Sequence, residues 1–230
     1  MLRTRIKICG LTREQDVSAA IEAGVDALGF VFYKKSPRFL SPERARELID
    51  ICPAWVCKVG LFVNSSQVEI NRISQISGIN QIQLHGDEIL EDCLNLKRPI
   101  IKALRINDKK HLNRSEYDNL IDQLIESKKY LKFCDAILLD SNSSQFGGSG
   151  QSFNWNILDD VYSILGNKWV LSGGLSIENV SLAIKSFRPP AIDISSGVEV
   201  TENGILIKGV KDKQKIKKFV NAVHDADNKT

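Results

Sequence analysis

The sequence predicts an α/β fold, a closed (β/α)8 or TIM barrel, on three observations. Short apolar runs alternate with amphipathic stretches, and the alternation repeats eight times along the 230 residues. No G-x-G-x-x-G run follows the first strand, as an open doubly wound sheet would normally carry; Gly10 leads straight into a helix start. Length and a 43% hydrophobic content suit one large α/β domain with a substantial core.

Each unit has its own signals. The first strand is 5–9, and a helix over 13–23 follows, with Thr12 as the expected N-cap and Gly24 as the stop. The second strand is 27–32; its helix opens at Ser41-Pro42, a cap followed by proline at the first helical position, and runs to about residue 51. Strand 56–62 precedes a helix over 66–77, and strand 81–85 precedes a short helix over 88–94. Strand 100–104 and strand 136–140 flank the longest connection, which holds a helix over 115–129. Helix 155–164, strand 169–172, helix 177–186, strand 191–195 and helix 212–223 complete the series. The barrel is assigned to residues 1–224, and the polar tail 225–230 is expected to fray.

Charge is nearly balanced, with 31 basic and 28 acidic residues and a net charge of +3. That excludes a domain-wide basic field for nucleic acid. The basic run 208–218 carries apolar residues at helical spacing and reads as a solvated helix face, not a nucleic-acid or membrane patch. The five cysteines, 9, 52, 57, 93 and 134, show neither zinc nor redox spacing, and the three histidines lie far apart. No apolar run approaches membrane-spanning length and no signal-peptide core precedes the first strand. A reducing, cytoplasmic setting is the expectation.

Strand C-terminal ends are where this fold places chemistry. Cys9 ends the first strand, and Lys7 and Arg5 share its face. Asp140 ends an apolar run, where an acid is costly to bury unless it faces a cavity mouth. Ser172-Gly173-Gly174 follows strand seven and Ser195-Ser196-Gly197 follows strand eight; neighbouring glycine and serine loops suit a phosphoryl group. Gly147-Gly148-Ser149-Gly150 reads as a substrate-embracing loop. Arg38, after Ser36-Pro37, can fork onto a planar carboxylate. Gln83 and His85 read as structural or substrate-adjacent, and Asp193 as a support for neighbouring groups.

These residues sit in an ordered set of motifs. They are Lys7-Ile8-Cys9-Gly10, Gly29-Phe30-Val31-Phe32 through Ser36-Pro37-Arg38, Gln83-Leu84-His85-Gly86 and Leu138-Leu139-Asp140-Ser141. Gly147-Gly148-Ser149-Gly150, Gly173-Gly174-Leu175, Asn179-Val180, Ser196-Gly197-Val198-Glu199 and Lys211-Asp212 complete it. Over nearly its whole length the chain closely resembles phosphoribosylanthranilate isomerases. Two residues depart slightly from the common pattern, Ser149 for threonine and Ser172 for alanine. Residues 200–209 are longer than the usual turn and are expected to form a small hairpin, a surface elaboration.

The resemblance implies a barrel of the ribulose-phosphate-binding type and an Amadori rearrangement of N-(5-phosphoribosyl)anthranilate in tryptophan biosynthesis. It implies Cys9 as general base, Asp140 as general acid and Arg38 as the carboxylate partner. It places phosphate at Gly148, Gly173, Gly174, Ser195, Ser196 and Gly197. Lys7 and Arg5 are expected to favour the Cys9 thiolate by their charge. No metal, nicotinamide or pyridoxal cofactor is implied, because the substrate nitrogen supplies the electron sink. The implied partner is a phosphorylated small molecule, with no nucleic acid or membrane, acting on a monomer or homodimer. Two alternatives stand beside this: a histidine-biosynthesis aminoimidazole carboxamide ribotide isomerase, and a non-catalytic sugar-phosphate-binding barrel.

Overall fold

A computed structural model describes residues 3–107, 112–142 and 154–228. Strands β1 (Arg5–Cys9), β2 (Ala27–Val31), β3 (Cys57–Phe62) and β4 (Gln81–Leu84) are followed by β5 (Ile100–Asn107), β6 (Ala136–Asn142), β7 (Trp169–Leu171) and β8 (Ala191–Ile194). They pair in parallel in sequence order, and β1 closes on β8 to complete the barrel. The expected glycine-rich loop around Gly148 lies outside the described residues.

The period-two pattern of the strands divides them between two environments. Ile6, Ile8, Leu28, Phe30, Ile82, Leu84, Ile137 and Leu139 join the large core between strands and helices. Cys9, Val31 and Leu61 cluster inside the barrel near its mouth, and Ile101, Ala103, Leu138 and Val170 form a separate interior group. A fully buried large side chain such as Phe30 or Phe62 contributes about 1.5–3 kcal/mol by leaving water.

The crossovers contain α1 (Glu14–Glu22), α2 (Pro42–Asp50), α3 (Gln67–Ser77), α4 (Arg114–Ser127), α5 (Leu158–Leu165), α6 (Val180–Phe187) and α7 (Lys213–Asn228). Ser41 Oγ accepts from the Arg44 amide at 3.1 Å, so the Ser-Pro start of α2 is a side-chain cap as expected. The start of α1 differs. Thr12 is not its cap; Thr12 Oγ1 donates to Gly209 O at 2.6 Å, and Arg13 occupies the cap position while its guanidinium pairs with Asp16. After β4 a short 3-10 helix, Leu90–Cys93, stands where a helix over 88–94 was expected.

Two further differences concern length. β5 and β6 extend past the predicted ends, because pairing continues to Asn107 opposite Asn142. The tail 225–230 does not fray from residue 225: α7 continues to Asn228 with Ala226 buried. Asp227 holds it there, accepting from the Thr4 amide and the Thr4 hydroxyl, each at 2.9 Å. The hairpin expected over 200–209 is present as β9 (Glu199–Glu202) and β10 (Ile205–Lys211). Lys213, Lys217 and Lys218 are exposed while Ile216, Phe219, Val220 and Val223 are buried, so most of the basic run is a solvated face.

Candidate active site

One cavity opens at the C-terminal ends of the strands, and Cys9, Arg38, Asp140 and Ser195 all line it. β1 carries Cys9 into the interior, where it is 5% exposed. The thiol lies against β2 at Gly29: a Cβ there would sit 2.7 Å from Cys9 Sγ and 3.0 Å from its Cα. Only glycine leaves room for that sulfur.

Beneath the thiol, Lys7 stands opposite Asp193 in the β1–β8 register, and Lys7 Nζ donates to Asp193 Oδ2 at 2.8 Å. Burial pushes the Cys9 thiol pKa up, Lys7 and then Lys211 pull it down, Asp193 opposes them, and the net direction is up. Lys7 itself is held above its ordinary value, because Asp193 and Cys9 outweigh its burial. The expected assistance to the thiolate therefore comes from Lys7 but does not overcome desolvation. Arg5 supplies none of it. It stands at the opposite end of β1, largely exposed, and pairs with Asp26 at 3.1 Å.

Asp140 ends its apolar run at the cavity, 5% exposed. Its Oδ1 accepts from the Ser141 amide at 2.9 Å, and its Oδ2 lies 3.1 Å from His85 Nε2. His85 Nδ1 in turn lies 3.0 Å from Gln83 Nε2. The loop after His85 is pinned: buried Lys102 donates to Gly86 O and to Glu88 Oε2, both at 2.7 Å, and Glu88 accepts from the Gly86 amide. Gly173 approaches the same acid, and a Cβ on it would lie 2.5 Å from Ser141 N and 3.0 Å from Asp140 Oδ1. Its φ of +77° adds a second reason for glycine.

Gly173, Gly174, Ser195 and Ser196 line the mouth side by side, as adjacency of β7 and β8 predicts. Asn179 steadies the first loop, donating to Gly174 O and accepting from the Ser176 amide, each at 2.8 Å. Gly197 is set back from the lining, and a Cβ there would meet Leu175 O at 2.3 Å. Opposite these loops, Val31, Leu61 and Tyr33 form a less polar wall beside Cys9.

Arg38 is almost fully buried and its Nε and Nη2 are engaged by Glu199 Oε1 and Oε2, at 2.7 and 2.8 Å. Its remaining nitrogen, Nη1, has no protein partner among the described residues. Glu199 also accepts from the Gly209 amide at 2.8 Å and from Lys211 Nζ at 3.2 Å. Lys211 donates to Ser195 O at 2.9 Å. Burial, with Arg38 nearby, pushes the Lys211 pKa down to about 8 against the pull of Glu199.

The family described as N-(5'phosphoribosyl)anthranilate (PRA) isomerase matches residues 6–222. The chain belongs to that family. N-(5'-phosphoribosyl)anthranilate isomerase of Dechloromonas aromatica is 43% identical over 226 residues, 98% of this chain and 99% of the relative. A solved structure of dimeric phosphoribosylanthranilate isomerase from Thermotoga maritima, in mutually generated monomers, shares 34% identity. Its TM-score is 0.78, over 96% of this chain and 99% of the other. Another phosphoribosylanthranilate isomerase structure, in complex with reduced 1-(o-carboxyphenylamino)-1-deoxyribulose 5-phosphate, has a TM-score of 0.79 at 34% identity. It too covers 96% of this chain and 99% of the other.

Within this family member, the expected site residues divide into three groups. Cys9, Arg38, Gln83, His85, Asp140, Gly173, Gly174, Asp193, Ser195 and Ser196 line one cavity. Lys7 lies behind it through Asp193, and Gly197 behind the serine loop. Gly148 is outside the described residues. Glu199 and Lys211 received no role from the sequence beyond motif membership. Their signal was weak, because Lys211 sits within a basic run and Glu199 is 161 residues from the arginine it holds. The 200–209 segment is also more than surface decoration, since its Gly209 contacts both Glu199 and Thr12.

Proposed function

We propose that this chain isomerises N-(5-phosphoribosyl)anthranilate to 1-(2-carboxyphenylamino)-1-deoxyribulose 5-phosphate, with Cys9 as base and Asp140 as acid. The observation that carries the reading is the convergence of both groups with Arg38 and two glycine-serine loops on one cavity. The solved relative described with the reduced aminodeoxyribulose phosphate supports the same substrate class.

In this reading Asp140 gives its proton to the ribose ring oxygen as the C1–O bond breaks. The nitrogen lone pair forms the C1=N iminium, which acidifies the C2 hydrogen. The Cys9 thiolate removes that hydrogen, and the electron pair becomes the C1=C2 bond of an enolamine. Tautomerisation places a proton on C1 and yields the C2 ketone; a proton returns from Cys9 to Asp140 through solvent before the next turnover. Arg38 Nη1 meets the substrate carboxylate while Glu199 fixes the guanidinium plane. The aromatic ring rests on Val31 and Leu61. Phosphate lies at Gly173, Gly174, Ser195 and Ser196, with Gly197 shaping the turn; the resemblance adds Gly148, outside the described residues. Holding the phosphate remote from C1 and C2 orients the reacting atoms.

All of these residues come from one chain, so the chemistry fits a monomer or a homodimer, and a cytoplasmic setting belongs to the same reading. Among the described residues no helix is long and apolar enough to cross a membrane. The test supplies purified protein with anthranilate ribotide and, separately, with the aminoimidazole carboxamide ribotide of histidine biosynthesis. Turnover of the first alone is expected. Turnover of the second alone would replace this reading with the alternative isomerase, and binding without turnover would leave a sugar-phosphate-binding barrel.

A further inference from the structure

Gln83 is fully buried on β4, and its amide oxygen Oε1 has no hydrogen-bond partner among the described residues. Its amide nitrogen lies 3.0 Å from His85 Nδ1. An amide presents a donor at one end and an acceptor at the other, and one end faces the imidazole while the other is orphaned. With the nitrogen towards the ring, the orphan is a carbonyl oxygen. With the oxygen towards the ring, the orphan is a buried NH2. Unpaired buried N–H groups are the rarer of the two in folded proteins, so the nitrogen faces the ring.

That orientation determines the imidazole. His85 Nδ1 accepts from Gln83, so the neutral ring carries its hydrogen on Nε2. Nε2 lies 3.1 Å from Asp140 Oδ2 and donates to it. Asp140 Oδ1 already accepts from the Ser141 amide. With the opposite tautomer, the Asp140 hydroxyl would point at the imidazole and be spent on it.

We propose that Gln83 is a positioning residue for the acid: it fixes His85 as a donor, so the Asp140 proton faces the cavity and not the imidazole. This rests on the reading of Asp140 as the general acid. The same Nε2–H then stabilises the carboxylate left when the proton has moved. Gln83 lines the cavity, but in this proposal it moves no proton itself and acts on the acid through the ring.

The test is the ring's tautomer, read by 15N NMR of histidine-labelled protein, with the His85 signals identified from their loss in His85→Asn. Wild type is expected to show the Nε2–H form. Gln83→Leu is expected to mix the two forms and lower kcat roughly tenfold or more while KM stays within about twofold. Gln83→Glu, an acceptor for Nδ1–H, is expected to lower kcat further. A wild-type ring in the Nδ1–H form overturns the proposal, and this outcome is readable even if Gln83→Leu does not fold. A folded Gln83→Leu with mixed tautomers and unchanged kcat overturns it as well. Failure of the underlying reading has a separate signature, near-wild-type turnover by folded Asp140→Asn.

Discussion

Arg38 and Glu199 form a buried two-pronged pair, with Nε and Nη2 of the arginine on the two carboxylate oxygens at 2.7 and 2.8 Å. The fork that would normally grip a ligand carboxylate is committed inside the protein, while Arg38 still lines the cavity and its Nη1 has no hydrogen-bond partner among the described residues. In the proposed function this pairing holds the guanidinium in place before substrate arrives.

Glu199→Gln removes one side of that pair and leaves Arg38 and Lys211 as buried cations short of a counter-ion. Breaking such a pair costs about 3–5 kcal/mol, readable as a lower urea midpoint. A roughly tenfold rise in KM is expected, equivalent to about 1.4 kcal/mol of substrate binding. Burial pushes the Glu199 pKa up, but Arg38 and Lys211 hold it below 4.5. Its stabilising contribution is present above pH 4.5 and is lost as pH falls through the lower folded-state value. Glu199→Gln should therefore flatten the acid limb of the stability curve.

Gly29→Ala tests the space around the thiol. The added methyl would lie 2.7 Å from Cys9 Sγ, against backbone as well as sulfur, so Cys9 has to move. A displacement near 1 Å can cost about 100-fold in rate. kcat is expected to fall by that order, with circular dichroism unchanged.

Lys211 is expected to give anion binding a pH dependence. Its pKa stands at about 8, and its ammonium contacts Ser195, one of the residues at the proposed phosphate position. The charged form favours an anion there, so affinity for a phosphate monoester such as ribose 5-phosphate should fall as pH rises through about 8. That monoester is already a dianion there, since its second ionisation lies near pH 6. Calorimetric titration from pH 7 to 9 measures the effect, and Lys211→Met should abolish the pH dependence.

The last turn of α7 is predicted to carry stability. Asp227→Ala leaves the buried Thr4 amide and hydroxyl without their carboxylate, at a cost of about 1–3 kcal/mol. A lowered melting temperature with unchanged kcat is expected, because the contact lies at the closed end of the barrel, near Arg3 and Asp26.

Much of this architecture was legible in the sequence because it is periodic. The eight strands and the closure of β1 on β8 follow from alternation, and Cys9 and Asp140 stand out as polar ends of apolar runs. What stayed hidden depends on residues that only folding brings together. Arg38 and Glu199 read as a free carboxylate binder and a motif letter until the hairpin set them side by side. Cys93 and Cys134 have no redox spacing, yet their sulfurs lie 3.8 Å apart in the core. Lys211 follows the alternation of β10 inward, while the surrounding lysines made it look solvated. Asp225 to Asn228 read as a frayed tail because nothing local shows that Thr4 receives Asp227.

The central claim is that Cys9 and Asp140 move the protons. The most direct measurement is kcat on anthranilate ribotide for wild type, Cys9→Ala and Asp140→Asn, each checked by circular dichroism. Losing either proton-transfer group is expected to lower kcat by roughly 100-fold or more with folding preserved. Near-wild-type turnover by either folded variant would contradict the assignment of that residue.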